Sequence, residues 1–169
     1  ELDAILRINP LSQFVKLEEN FFNLNTSELN LNNELEDESS LGLALKYHSL
    51  GLIEETIKIL NLANPTTKKK LWLAYLLKDT DPNMANVLLK EIEQNSTDFI
   101  FPFRRETLPV LEWASQQKNS WKLDYYRALN YFAVGQDEKG LSILKKLGSE
   151  PDSDVFYRFR AKVLKDRNF

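Results

Sequence analysis

The sequence predicts an all-α fold, and three observations carry that prediction. Leu occurs 29 times against 14 for Val and Ile together, and Leu enters helices with less loss of rotamer freedom than β-branched residues. Only 5 Gly and 6 Pro punctuate the 169 residues, too few for the closely spaced turns of a β-sandwich. Apolar residues recur three and four apart through most of the chain, which is the spacing of one helix face.

Leu2 to Ile8 reads as the end of a helix stopped at Asn9-Pro10, because Pro disfavours helical backbone in the residue before it. Phe14, Leu17 and Phe21 place a second helix from about Ser12 to Asn23. Residues 24–38, rich in Asn and acids, are the most loop-like stretch, with room for a short helix over Ser27 to Leu35. From residue 38 the pattern becomes regular. Leu41, Ala44, Leu45 and His48 mark a helix over Ser40 to Ser49 that Gly51 breaks, and Ile53, Ile57 and Leu60 mark the next. Asn64-Pro65 and Asp81-Pro82 each set a capping side chain before a Pro suited to the first helical turn, predicting helix starts near 65 and 82.

Phe99-Ile100-Phe101-Pro102-Phe103 is too short and too interrupted for a repeat helix, and reads as an insertion packed on the helices. A helix over Glu106 to Gln117 follows, with Pro109 tolerated in its first turn. Trp121 to Val134, the turn at Gly135, and Asp137 to Leu147 predict a helix–turn–helix, and Asp154 to Lys165 a last helix.

The helix pairs recur at about 34 residues with small and large residues at fixed places, the mark of a tetratricopeptide solenoid. In the best copy, from Trp121, Ala128 stands where two helices cross, Tyr131 and Phe132 fill the adjoining space, and Gly135 turns the chain. A copy from Asp37 carries Ala44, Tyr47, Gly51, Leu60 and Ala63 at matching offsets, and the final copy places Ala161 33 residues after Ala128 and Asn168 at its turn. The expected architecture is therefore a right-handed α-α superhelix of about four to five repeats, some irregular. A single domain spans 1–169: an irregular start over 1–36, repeats over 37–98, the insertion and its helix over 99–120, and repeats over 121–169, the last incomplete. Because each pair carries an apolar face it cannot bury alone, the unpaired last helix predicts continuation past Phe169. The opening Glu1 likewise predicts a processed or excised piece.

Several strings go beyond generic repeats: Phe101-Pro102-Phe103-Arg104, Leu111-Glu112-Trp113-Ala114, Trp121-Lys122 with Tyr125-Tyr126 and Ala128-Leu129, and Pro151-Asp152 with Phe156-Tyr157 and Ala161. In that order they resemble the C-terminal tetratricopeptide region of an uncharacterised bacterial family. In that family a galactose-mutarotase-like β-sandwich domain of unknown function precedes the repeats. Asn9-Pro10-Leu11 to Phe14 and Leu17-Glu18 resemble an upstream part of the same region. The family tends to have Pro where Arg105 and Leu123 stand, and Ala where Gly140 stands. The resemblance implies a carbohydrate-linked role for a longer protein, carried by the β-sandwich, and transfers no catalytic residue to this chain.

Composition narrows the chemistry. The absence of Cys excludes disulfides, thiolate metal sites and a Cys nucleophile. The longest apolar run, Leu71 to Leu77, is far short of the roughly 20 residues that span a membrane. A pI near 5.3 argues against nucleic acid, and Lys68-Lys69-Lys70, the one basic run, opens a helix where it opposes the dipole, so it should be solvated or paired with acids. Residues 1–100 carry 9 basic and 16 acidic side chains, whereas residues 101–169 carry 13 and 9, a polarity able to steer a charged partner.

The lone His48 lacks the second His a metal site or general-base pair would need, and reads as a packed or surface imidazole. Glu18-Glu19, Glu54-Glu55 and Glu36-Asp37-Glu38 are neighbours along a helix and diverge by about 100°. No Gly-rich phosphate loop or nucleophile elbow occurs. Neither catalysis nor a cofactor is expected. The expected function is a scaffold for a protein or peptide, such as an adjacent domain of the same protein, held in a concave groove lined by His48, Lys122, Tyr125, Leu129, Arg158 and Lys162. A cationic rim around an aromatic anchor would suit an acidic peptide. The alternative is a carbohydrate-active or glycan-binding module using aromatic residues around Trp113 and Trp121, although these rings read first as core that glues the insertion to its helices.

Overall fold

The computed structural model describes residues 2–8, 15, 34–61, 65–98 and 100–166. Among these residues the fold is all-helical, with no strand. In chain order the helices are α1 (Leu2–Ile8), α2 (Glu34–Ser49), α3 (Ile53–Leu60), α4 (Thr67–Leu77), α5 (Pro82–Gln94), α6 (Thr107–Gln117), α7 (Trp121–Ala133), α8 (Asp137–Leu147) and α9 (Asp154–Asp166). The helix expected over Ser12 to Asn23 lies outside the described residues except for Val15, which is helical and buried. Ser27 to Asn33, Asn64, Ala63 and Phe99 also lie outside them. Where the sequence predicts one continuous domain, the chain divides into two compact units, Glu1–Lys69 and Lys70–Phe169. The division falls within α4. Helices that pack mainly on their sequence neighbours allow such a cut anywhere along the chain.

In the first unit, α2 and α3 form a hairpin. Its turn is a Schellman motif: Leu52 N–H donates to the Tyr47 carbonyl at 3.0 Å and Gly51 N–H to the His48 carbonyl at 2.9 Å, with Gly51 at φ 78°. Only Gly takes that left-handed conformation without a Cβ penalty, which is why the helix stops there. Leu41, Leu43, Ala44 and Tyr47 of α2 and Ile59 and Leu60 of α3 are buried.

Charge closes the rest of this unit. Lys69, at 1% exposure, places Nζ 3.0 Å from the Asp37 carboxylate, and Lys68 pairs with Glu38 and lies 3.7 Å from Asp37. Thr66 Oγ1 donates to both Asp37 oxygens at 3.1 Å. The helix expected from near residue 65 starts two residues later, at Thr67. Within the second unit Lys70 pairs with Glu91 at 2.8 Å. The basic run is thus paired throughout, one of the two outcomes its position at a helix start demands.

In the second unit α7 packs against both α6 and α8. Asp81 caps α5 as the sequence predicts, accepting from Met84 N–H at 3.0 Å with Pro82 at the first helical position. The α7–α8 turn repeats the first one: Gln136 N–H donates to the Tyr131 carbonyl at 2.8 Å, Gly135 N–H to the Phe132 carbonyl at 3.2 Å, and Gly135 has φ 76°. Ala128 is fully buried. Gly140 departs from the Ala expected in the second helix for a steric reason, since a Cβ there would meet the Phe132 ring at 2.8 Å. Ala161, in contrast, is exposed, so the third copy nests no helix at that position among the described residues.

The Phe-Pro-Phe insertion is held differently from the expectation. Phe101 and Phe103 are each 54% exposed, while Pro102 is buried. Asn130, buried in α7, donates its amide to the Pro102 carbonyl and, at 2.9 Å, to the Arg104 carbonyl. Backbone polarity anchors this strap, and its two exposed rings turn outward.

A candidate partner-binding cleft

The residues expected to line one groove are divided between the two units, and two of them are buried. His48 is half-buried on α2 in the first unit, whereas the other five belong to the second. Tyr125 is 2% and Leu129 9% exposed, so neither offers a partner a surface, which corrects their assignment to a groove. Tyr125 instead meets Phe156 edge-on at 5.3 Å and Phe159 at 6.2 Å, fixing α9 against α7. Burial pushes its phenol up from the ordinary range. Lys122 is committed elsewhere: its ammonium donates to the Glu93 and Asn95 carbonyls, both at 2.6 Å, and so satisfies the C-terminus of α5. It also stands 5.7 Å from the Trp121 ring centroid. Arg158 and Lys162 are exposed one turn apart on α9. Among the described residues, Tyr125 is therefore no exposed anchor for a cationic rim.

A different concavity is present. The loop after α5, the first residues of α7 and the start of α9 enclose a cleft of ≈ 580 Å³. Trp121, half-buried, supplies its aromatic wall, and Asp98, Asp152 and Asp154, all exposed, supply its charge. Local hydrogen bonds hold its edges. Ser153 Oγ accepts from Phe156 N–H at 3.4 Å, capping α9, and Thr97 Oγ1 donates to Ser153 Oγ at 3.5 Å across the cleft. Asp98 N–H donates to Ser96 Oγ at 3.1 Å. In α7 the Tyr126 hydroxyl is buried with no hydrogen-bond partner among the described residues. Burial, with smaller contributions from Tyr125 and Asp98, raises its pKa far above the ordinary range.

Trp113 lines another cleft, of ≈ 400 Å³, with Asn86, Gln117 and the Lys78–Asp79 ion pair, and packs edge-on to Tyr75 at 5.7 Å. The two tryptophans named for a glycan platform thus belong to separate clefts. Among the described residues no group of three His, Asp or Glu side chains is placed to hold a metal ion, and no helix is long and apolar enough to cross a membrane.

Sequence reasoning found Trp121 but missed Asp98, Asp152 and Asp154. Asp98 sits in the loop after α5, and Asp152 and Asp154 at the start of α9, so no local pattern links them. No protein-family model matches the chain, and neither curated proteins nor solved structures yield a match.

Proposed function

We propose that this chain is a helical-repeat scaffold of tetratricopeptide type, in the right-handed superhelical class, that binds a protein partner rather than transforming a substrate. The observation that carries this reading is the recurrence of one hairpin in both units. Ala44, Tyr47 and Gly51 match Ala128, Tyr131 and Gly135 in spacing, in burial of the Ala and Tyr, and in the Schellman turn. Repeated hairpins of this kind stack and leave extended surfaces free for partners. The Trp121 cleft is the contact surface we assign, in place of the groove through Tyr125 and Leu129. The resemblance to the repeat region of a bacterial family supports a partner within the same longer protein, such as its β-sandwich domain.

Site-specific photo-crosslinking in cells tests this. Val155 is exposed and lines the cleft, and Ser142 is exposed on α8. With p-benzoylphenylalanine at 155, a discrete protein adduct or an intramolecular one to an attached domain is expected, and none at 142. The same diffuse adducts from both positions, or no adduct at 155, would overturn the proposal.

A second reading has its own observation. The Trp113 ring beside the amides of Asn86 and Gln117 is a stacking surface edged by hydrogen-bonding groups, which suits a glycan. Saturable shifts of the Trp113 indole N–H on titration with neutral oligosaccharides would support it, and their absence would discard it.

A further inference from the structure

The Trp121 cleft combines an aromatic wall with an excess of carboxylate. Asp98, Asp152 and Asp154 face it, and none is ion-paired among the described residues. Its one lining cation, Lys122, spends its ammonium protons on the Glu93 and Asn95 carbonyls. Among the described residues, an approaching ligand therefore meets three carboxylates without an ion-pair partner, two of them at the start of α9, in a concavity whose one lining cation is already engaged. Field lines concentrate in such a recess, so its selectivity by charge exceeds that of a flat acidic surface. The indole adds a face that stabilises a cation by its quadrupole, as it already does for Lys122.

We propose that the cleft between the α5–α6 loop and the start of α9 binds an arginine side chain of a basic peptide segment. Guanidinium fits better than ammonium, because it pairs in a plane with carboxylates and stacks on an indole at the same time. The sign is opposite to the acidic partner expected from sequence. The inference rests on reading the chain as a partner-binding module, and adds the chemistry that module recognises.

The test uses the full chain, isotopically labelled, titrated with a fluorescein-tagged peptide of four Arg-Gly repeats. Expected are saturable shifts at the Trp121 indole N–H and at the amides of Asp98 and Asp154, with affinity falling as salt rises. Asp98→Asn with Asp152→Asn should weaken binding at least tenfold, which is about 1.4 kcal/mol, and Asp152→Lys should abolish it. Both positions are exposed, and unchanged near-UV circular dichroism confirms that the fold is intact. Affinity within twofold in the double variant would overturn the proposal. So would equal binding of a citrulline-for-arginine peptide, or shifts spread equally to Glu54 and Glu55. A discrete adduct at position 155 combined with no response to the arginine peptide would sink this chemistry alone and leave the scaffold reading standing.

Discussion

The α2–α3 hairpin and the α7–α8 hairpin turn the chain in the same way, and their first helices are tied to a further helix by different chemistry. Each ends its first helix with a left-handed Gly and two reverse hydrogen bonds, after an Ala and a Tyr that are buried at the same spacing. Beyond the turn they diverge. The first unit secures α2 through Asp37, which is buried against Lys69 and takes the Thr66 hydroxyl. The second secures α7 through rings: Phe132 meets Phe159 at 5.7 Å, and Tyr125 meets Phe156. At the positions equivalent to Gly140 and Phe132, the first hairpin has Thr56 and His48. A close approach of helix to aromatic ring thus belongs to the second hairpin, and Thr56 bonds its hydroxyl to the Leu52 carbonyl at 2.7 Å. One turn chemistry therefore accommodates two kinds of glue, because the turn is satisfied by its own backbone and is indifferent to what packs beside it.

The sharpest way to break this contrast is to remove the buried charge. Asp37→Asn leaves Lys69 buried without a counter-ion and should destabilise the first unit by about 3–5 kcal/mol in urea unfolding. Hydrogen exchange should show protection lost in α2 before α8. Equal loss in both would mean that the two hairpins do not differ in what holds them.

Gly140→Ala comes next. In an exposed helix the change would gain about 1 kcal/mol, but here the new Cβ meets Phe132 at 2.8 Å. A net loss of roughly 1–3 kcal/mol is expected from overpacking. Adding Phe132→Leu should recover part of it, so that the double-mutant cycle shows coupling. A gain in stability would place the ring away from Gly140.

The equivalence of the turns has its own measurement. Gly51→Ala and Gly135→Ala should each cost about 1–2 kcal/mol, because both force a Cβ into left-handed backbone. Unequal costs would separate two turns that share their geometry.

The smallest effect concerns Tyr131, whose hydroxyl donates to Glu112 at 2.6 Å. Burial, that hydrogen bond and the Glu112 charge push its pKa from 10.0 to about 12. The unfolded phenol then loses its proton first, so its contribution is complete below pH 10 and is lost as pH rises toward 12. Tyr131→Phe should cost about 1 kcal/mol near neutrality and make the alkaline decline in stability shallower. An unchanged alkaline slope would assign that decline to other groups.

The helices were legible because their signals are local. Asp81-Pro82 starts α5, Gly51 and Gly135 stop α2 and α7, and Pro109 falls in the first turn of α6, each through backbone chemistry within a few residues. Pairing of the basic run was legible in kind, since three ammonium groups at a helix start demand either water or acids. The aromatic residues were less transparent. Tyr125 and Phe101 look equally apolar in sequence, yet one is buried between helices and the other faces outward from a strap held by Asn130. Helical periodicity says which residues share a face and leaves open what that face meets.

Composition and spacing alone determined that the chain is helical, where most of its helices begin and end, and which glycines turn it, since these depend on dihedral preferences and hydrogen bonds inside short segments. Only tertiary structure decided that Lys69 finds Asp37, that Lys122 caps a different helix, and that Asp98 and Asp152 come to face one cleft beside Trp121. Those pairings join residues distant in the chain. They are fixed by how helices pack, and packing depends on every side chain at the contact together.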